Sequence, residues 1–440
     1  MRRTPPSRAV RARPASAAAA LALALTTTLV LATAACRRAS PGEVGARTRI
    51  VLRHQPLWGD PAPFRALLAE FGRAHPELDV VTELLPNDSD LLRQLYVTAL
   101  DGGDASFDVL VLDVIWVAEF ARAGWIADLS DDLPPAELRA TLLPGPAAVA
   151  VQDGHTWAVP WYIDVGLLYY RTDLMAAPPR TYAALASTIR EVQRAHPGML
   201  GYLWQGRQYE GLSCNAFESI WGHGGEVLAP DGRLVLDSPE ARAGLAWLRT
   251  LVAEGLSPSS VLSAGEEDAR RLFQSGRAVF MRNWPYASGL LEQPGSPVRG
   301  RVGMTTLPSL DGVRPGAGTL GGWFLAVNAQ VSPARRHAAA RLIAHLTSPE
   351  AALLMATAYA RNPARRALYA DPRLRAQAPF IADLLPLVEA ARPRPPTPYY
   401  NLLADTLQGE LSGAVIGLRS PGRALSRSQQ QIDHLLAGSP

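Results

Sequence analysis

Lysine is missing from this 440-residue chain, and cysteine occurs only twice. All 43 basic side chains are therefore arginine, and they are spread along the chain rather than gathered into a stripe. That distribution argues against nucleic acid as a partner, because clustered phosphate contacts need a basic surface. Cys36 and Cys214 are too few for a disulfide framework or a cysteine metal set, and Cys214 is expected as a small buried side chain. The eight histidines form no H-x-x-x-H or H-E-x-x-H arrangement, and both G-x-S-x-G and a Walker A loop are lacking. Gly316-Ala317-Gly318-Thr319-Leu320-Gly321 spells G-x-G-x-x-G, but a strand rather than a helix is predicted after it, so the dinucleotide context fails. No metal, cofactor or catalytic residue is expected, and after the N-terminal segment no apolar run reaches the roughly 18–20 residues that span a bilayer.

What is present is an ordinary globular composition, 48% hydrophobic, on a chain long enough for two or three domains. The formal charge of +3 hides an asymmetry: residues 1–35 hold five arginines and no acid, leaving 38 basic against 40 acidic side chains, or −2, for the rest. An Arg-rich start, an apolar segment from about Ala17 to Ala32 and small residues before Cys36 read as an export signal over residues 1–35. Thr33-Ala34-Ala35-Cys36 resembles a bacterial lipobox, with Thr33 where that motif prefers Leu, and makes Cys36 the expected lipidation site. Ala32-Thr33-Ala34 also fits ordinary A-x-A cleavage, which would release a soluble form. Residues 36–47 are the expected tether.

Beyond it, strands and helices alternate, as in an α/β lobe. Ile50 to Leu52 predicts a buried strand, and its loop carries Trp58 and Asp60 to a strand's carboxyl end, where open α/β sheets bind ligands. Pro63 to Ala74 has apolar residues at helical spacing, Val80 to Leu84 a strand pattern, and Asp88 to Leu100 a helix opened by a polar cap. Phe107 to Val114 is apolar enough for a parallel strand buried on both faces, and Asp113 ends it as either a ligand group or a cap for a helix over Ile115 to Ala123. The alternation resumes after Arg171 as a second lobe richer in helix, and from Arg361 onward helices are separated by Pro-rich breaks.

Between these parts lies Trp157 to Arg171, with a predicted strand from Val165 to Tyr170. Pro160-Trp161-Tyr162 precedes it, and Asp164 stands alone among aromatic and aliphatic neighbours. Aromatic faces cover the C–H surface of a pyranose, and a carboxylate accepts two hydroxyl hydrogen bonds. A core strand with one solvated Asp is the alternative.

Phe107 to Trp116, Phe120 to Trp125, Val159 to Asp173, Trp204 to Leu212, Arg282 to Ala287, Thr319 to Trp323, Asn362 to Arg365 and Pro393 to Tyr400 together resemble the extracellular solute-binding proteins of sugar ABC importers, and among them the trehalose/maltose-binding group. The resemblance implies an α/β, two-lobed periplasmic-binding-protein fold of type II-like form. Each lobe would be a mixed sheet flanked by helices, with the cleft between lobes. It places one lobe at 48–162 plus 304–350 and the other at 163–303 plus 351–440. It also implies a monomer that captures a disaccharide or related sugar, closes by a hinge and delivers it to membrane permease subunits with a separate ATPase. The ligand contacts fall on Asp113 and Asp164 as acceptors, on Tyr162, Trp284 and Trp323 as ring platforms, on Gly322 as a backbone donor and on Arg365 as a donor. Arg93 matches a further polar contact, and Asp60 stands where the pattern has Glu.

Two other functions compete. Another polyhydroxylated solute, such as a polyol or a glycerophosphodiester, suits the same side chains. An exported glycosidase or lyase would use Asp113 and Asp164 as an acid and base pair.

Overall fold

The computed structural model describes residues 47–229 and 233–437. The export signal, Cys36 and nearly all of the tether lie outside them. Two sheets organise the remainder. The first has the order β2-β1-β3-β11-β6, from β1 (Thr48–His54), β2 (Leu78–Leu84), β3 (Val109–Asp113), β6 (Val159–Val165) and β11 (Leu320–Val327). A small hairpin, β4 (Val151–Gln152) and β5 (His155–Thr156), precedes β6. The second sheet has the order β10-β7-β9-β8, from β7 (Leu167–Arg171), β8 (Leu200–Leu203), β9 (Ala278–Asn283) and β10 (Val302–Thr305). Both are mixed: β1 is parallel to β2 and β3, β11 is antiparallel to β3 and β6, and β8 is parallel to β9 while β7 is antiparallel to β9 and β10.

The apolar pattern accounts for the layers. Every residue of β3 is buried, as a strand covered on both faces requires. Helix α1 (Ala62–Ala74) buries Phe64, Leu67 and Phe71 and packs on β2; α2 (Ser89–Asp101) starts at Asp88, whose carboxylate accepts from the Leu91 amide. In the second lobe α3 (Glu210–Gly222) is buried along its whole length, packed against α4 (Pro239–Ala253), while α5 (Glu266–Gln274) packs on β9. Returning to the first sheet, α6 (Pro333–Leu346) packs on β11 and β1, and α7 (Pro349–Tyr359) on α1 and β6. The chain ends on the second lobe, where α8 (Tyr400–Val415) packs against α3 and α4.

Three places differ from the sequence-based expectations. The strand predicted from Val165 to Tyr170 is two strands in two sheets, split at Gly166, so the chain changes lobe there rather than after residue 162. A Cβ on Gly166 would sit 2.0 Å from Glu218 Oε1 and 2.7 Å from Arg282 Nη2, a space only glycine fits. The change expected after residue 303 falls inside β10, which pairs wholly with β7 of the second sheet. At the expected boundary of 350 the chain enters α7, which packs on α1 and on β6 of the first sheet. Among the described residues no helix is long and apolar enough to cross a membrane.

Candidate functional site

The two sheets meet over a cleft of about 770 Å³, counting the solvent at its mouth. It is reached from the ends of β3, β6, β9 and β11. Asp113 is the last residue of β3 and Tyr162 and Asp164 are on β6; Trp284 directly follows β9, and Gly322 and Trp323 lie within β11. These six residues, scattered over two hundred positions of sequence, line one space. Trp323 sits in β11 at a bulge, where the register against β6 shifts between Trp323 and Phe324. The bulge re-aims the strand beside the cleft. Gly322 has φ +138°, and a Cβ there would lie 2.7 Å from the Tyr162 carbonyl oxygen, so no larger residue lets β11 and β6 pair this closely.

The aromatic rings are held by their unexposed sides. Trp284 has the Arg282 guanidinium 3.8 Å from its ring centroid, and its Nε1 donates to Glu266 Oε1 at 3.3 Å. Trp323 meets Trp116 edge to face at 5.7 Å. Both rings are partly exposed into the cleft, the disposition of a platform that has one face to offer. Trp58, Tyr209 and Tyr286 add further rings to the wall.

The charges form a second layer. Arg394 is buried and donates to Asp113 Oδ1 at 3.0 Å and to Glu210 Oε1 at 2.9 Å, while Tyr400 Oη donates to Glu210 Oε1 at 2.7 Å. Arg207 reaches from the second lobe to Asp88 Oδ2 of the first at 2.6 Å, over the ring of Tyr209. Asp164 is 5% exposed, and its Oδ1 has no hydrogen-bond partner among the described residues. Burial raises its carboxyl to about 6, with Asp113 adding to the rise and Arg361 and Arg282 opposing it. Burial likewise raises Glu210 to about 7 against the pull of Arg394. A site that desolvates carboxyls in this way is ready to exchange its own unmet hydrogen bonds for those of a ligand.

Three of the expected contacts lie elsewhere. Asp60 is exposed and closes a local turn, its Oδ1 accepting from the Ala62 amide at 2.9 Å. Its loop does reach the cleft, but through Trp58. Arg93 is paired with Glu119, Nε to Oε2 at 3.0 Å, and is not among the cleft residues. Arg365 donates to the Thr347 carbonyl oxygen at 3.3 Å, within the first lobe. Arg361, four residues earlier, lines the cleft in its place. Arg207, Glu266, Tyr286, Arg361 and Arg394 were not singled out from the sequence. Arg207, Tyr286 and Arg394 do fall inside the segments that carried the resemblance; Arg361 immediately precedes one, and Glu266 had no signal beyond its place at a helix start. Among the described residues no cluster of His, Cys, Asp and Glu could hold a metal ion.

A family model described as bacterial extracellular solute-binding protein matches residues 56–353. A relative from Deinococcus radiodurans, named as a probable ABC transporter-binding protein, is 34% identical over 363 residues, covering 79% of this chain and 84% of its own. A mannitol-binding protein of Pseudomonas aeruginosa is 25% identical over 398 residues, covering 82% and 87%. Among solved structures, maltose-bound MalE3 of T. maritima superposes with a TM-score of 0.83 at 38% identity, covering 88% of this chain and 100% of that one.

Proposed function

Since the chain belongs to the bacterial extracellular solute-binding proteins, which serve ABC transporters and are not enzymes, we propose that it captures a disaccharide such as trehalose or maltose in the cleft and delivers it to a permease. One observation carries this: Tyr162, Trp284 and Trp323 present rings, and Asp113 and Asp164 carboxylates, to one shared space. Rings cover the apolar faces of a pyranose, and carboxylates accept from its hydroxyls. The maltose in the T. maritima relative supports the same choice.

The sheets support a division into lobes at three crossings, around residue 166, within 306–319 and near 391–394. Gly166 donates its amide to the Thr319 carbonyl oxygen at 3.2 Å, and Arg392 joins the same strip by exchanging backbone hydrogen bonds with Gly318 and Leu320. Rotation about this strip would open the cleft, and Arg207 with Asp88 would hold it shut. Lipidated Cys36 would keep the protein at the outer face of the membrane beside its permease.

A polyol is the second candidate ligand, favoured by the mannitol-binding relative. Thermal unfolding of the purified protein with trehalose, maltose and mannitol separates them: the true ligand raises the midpoint in proportion to the logarithm of its concentration. A protein whose midpoint moves with none of the three is not a receptor for these solutes.

A further inference from the structure

Arg361 carries a charge that no acid among the described residues pairs with. It follows Ala360, which ends α7 in a left-handed conformation at φ 54°, and it is 6% exposed. Its guanidinium lies 4.5 Å from the ring centroid of Tyr162, on the first lobe, and 5.1 Å from that of Tyr286, on the second. The Nε has no hydrogen-bond partner among the described residues. Stacking orients a guanidinium but leaves its N–H edge unmet, and a buried donor of that kind is costly until something accepts from it.

The group that faces it is Asp164. The charge of Arg361 acts on Asp164, yet among the described residues no salt bridge joins them, and Oδ1 of Asp164 is unpartnered as well. The other charges on Asp164 are Asp113 and Arg282, and the phenols of Tyr162 and Tyr169 stand nearby; Arg282 is already committed to Glu218, Nε to Oε2 at 2.9 Å. An unfilled donor and an unfilled acceptor therefore border the same cleft. A hydroxyl oxygen satisfies both, accepting from the guanidinium while its proton goes to the carboxylate. A carboxylate or phosphate satisfies Arg361 but meets the unpaired Asp164 as a like charge.

We propose that Arg361 and Asp164 form a subsite bridged by one ligand hydroxyl, and that this pair selects neutral polyhydroxylated ligands over anionic sugars. The subsite rests on the sugar-binding reading of the cleft and adds the determinant of ligand charge. Arg361 acts by direct contact, so its charge alone is not sufficient; the fork of N–H groups is needed.

The test has two arms. In the ligand-free protein, the Asp164 carboxyl carbon is titrated by 13C NMR in wild type and in Arg361→Met. Loss of the facing cation moves the midpoint to higher pH, and an unmoved midpoint overturns the pairing whether or not any sugar binds. In the second arm, calorimetry compares maltose, trehalose, mannitol and glucuronate. Arg361→Met is expected to weaken the neutral ligand roughly 10- to 100-fold, the loss typical of a hydrogen bond involving a charged group. Arg361→Lys, which keeps the charge and protects the fold, recovers only part of it. In an Asp164→Asn background the effect of Arg361→Met shrinks, because the bridge is already broken. Equal affinities in wild type and Arg361→Met, or tighter binding of glucuronate than of any neutral ligand by wild type, refute the subsite. Failure of wild type to bind any of the four refutes the sugar-binding reading instead, and the titration still decides whether the two residues face each other.

Discussion

Burial raises the carboxyl of Asp164 from 3.8 to about 6, so the folded chain binds this proton more readily than the unfolded one. The sign follows: the group's stabilising contribution is fully present below pH 3.8 and is lost as pH rises through about 6. A shift of that size corresponds to on the order of 3 kcal/mol against folding at neutral pH. Asp164→Asn is accordingly expected to raise the thermal midpoint at pH 8, with the advantage shrinking at pH 5, while sugar affinity falls. Unfolding curves at the two pH values check the first half and calorimetry the second; a variant less stable at pH 8 contradicts it. Trp284→Ala or Trp323→Ala should each lower sugar affinity by about 1–3 kcal/mol through loss of stacking area. Titration calorimetry with unchanged affinity in both would remove the rings from the binding surface.

At this scale, residues at the ends of apolar strands were the legible ones. Asp113, Tyr162 and Asp164 stand out because a strand's hydrophobic run gives way to a group it has no use for. Arginines were harder to locate. Arg361 and Arg365 flank the same Asn362-Pro363-Ala364 segment, and it is Arg361, next to the left-handed turn at Ala360, that lines the cleft. Arg394 lies in a Pro-rich stretch without periodicity, and its role depends on Asp113 and Glu210, which are 281 and 184 residues away.

At the level of elements, the crossing strip near Gly166 carries the greatest constraint. The Glu218 carboxylate is enclosed by Arg282, donates to nothing and accepts from the Thr319 amide at 3.0 Å, all within the space a Cβ on Gly166 would take. Gly318 is constrained in turn, since its Cβ would lie 2.2 Å from the Gly166 carbonyl oxygen. Gly166→Ala should therefore destabilise the protein by at least about 3 kcal/mol, combining overpacking with a disturbed buried ion pair. Urea unfolding that shows a loss below 1 kcal/mol would mean the strip yields more easily than its packing suggests. Most elements were visible in the sequence to within a few residues, because α1, α2 and β3 carry clean apolar periodicity. The division of Val159 to Arg171 between two sheets was not visible, since apolar residues continue on both sides of Gly166 and the reason for the break lies on α3 and β9.

For the whole molecule, Arg207 of the second lobe and Asp88 of the first are paired across the cleft. The pair between Arg207 and Asp88 is partly exposed, with side chains 42% and 31% accessible, and pairs of this kind contribute at most about 1 kcal/mol. Arg207→Ala should then speed ligand release by no more than about fivefold in stopped-flow measurements; an unchanged rate would mean that the pair does not hold the mouth. The two-lobed architecture itself was readable from the alternation of strands and helices with the motifs between them. The assignment of α7 to the first lobe was not, because it depends on which of two sheets offers α7 an apolar face.

Cys214 lies on α3 in the wall of the cleft, 1% exposed, and burial pushes its thiol well above the usual range. While the lobes are together the sulfur is both shielded and protonated, so alkylating reagents find no thiolate to attack. Under the hinge motion proposed for the cleft, parting of the lobes should relieve both conditions at once. Alkylation of this one sulfur would then act as a clock that runs while the lobes are apart, and a bound sugar should stretch its interval in proportion to the time spent shut.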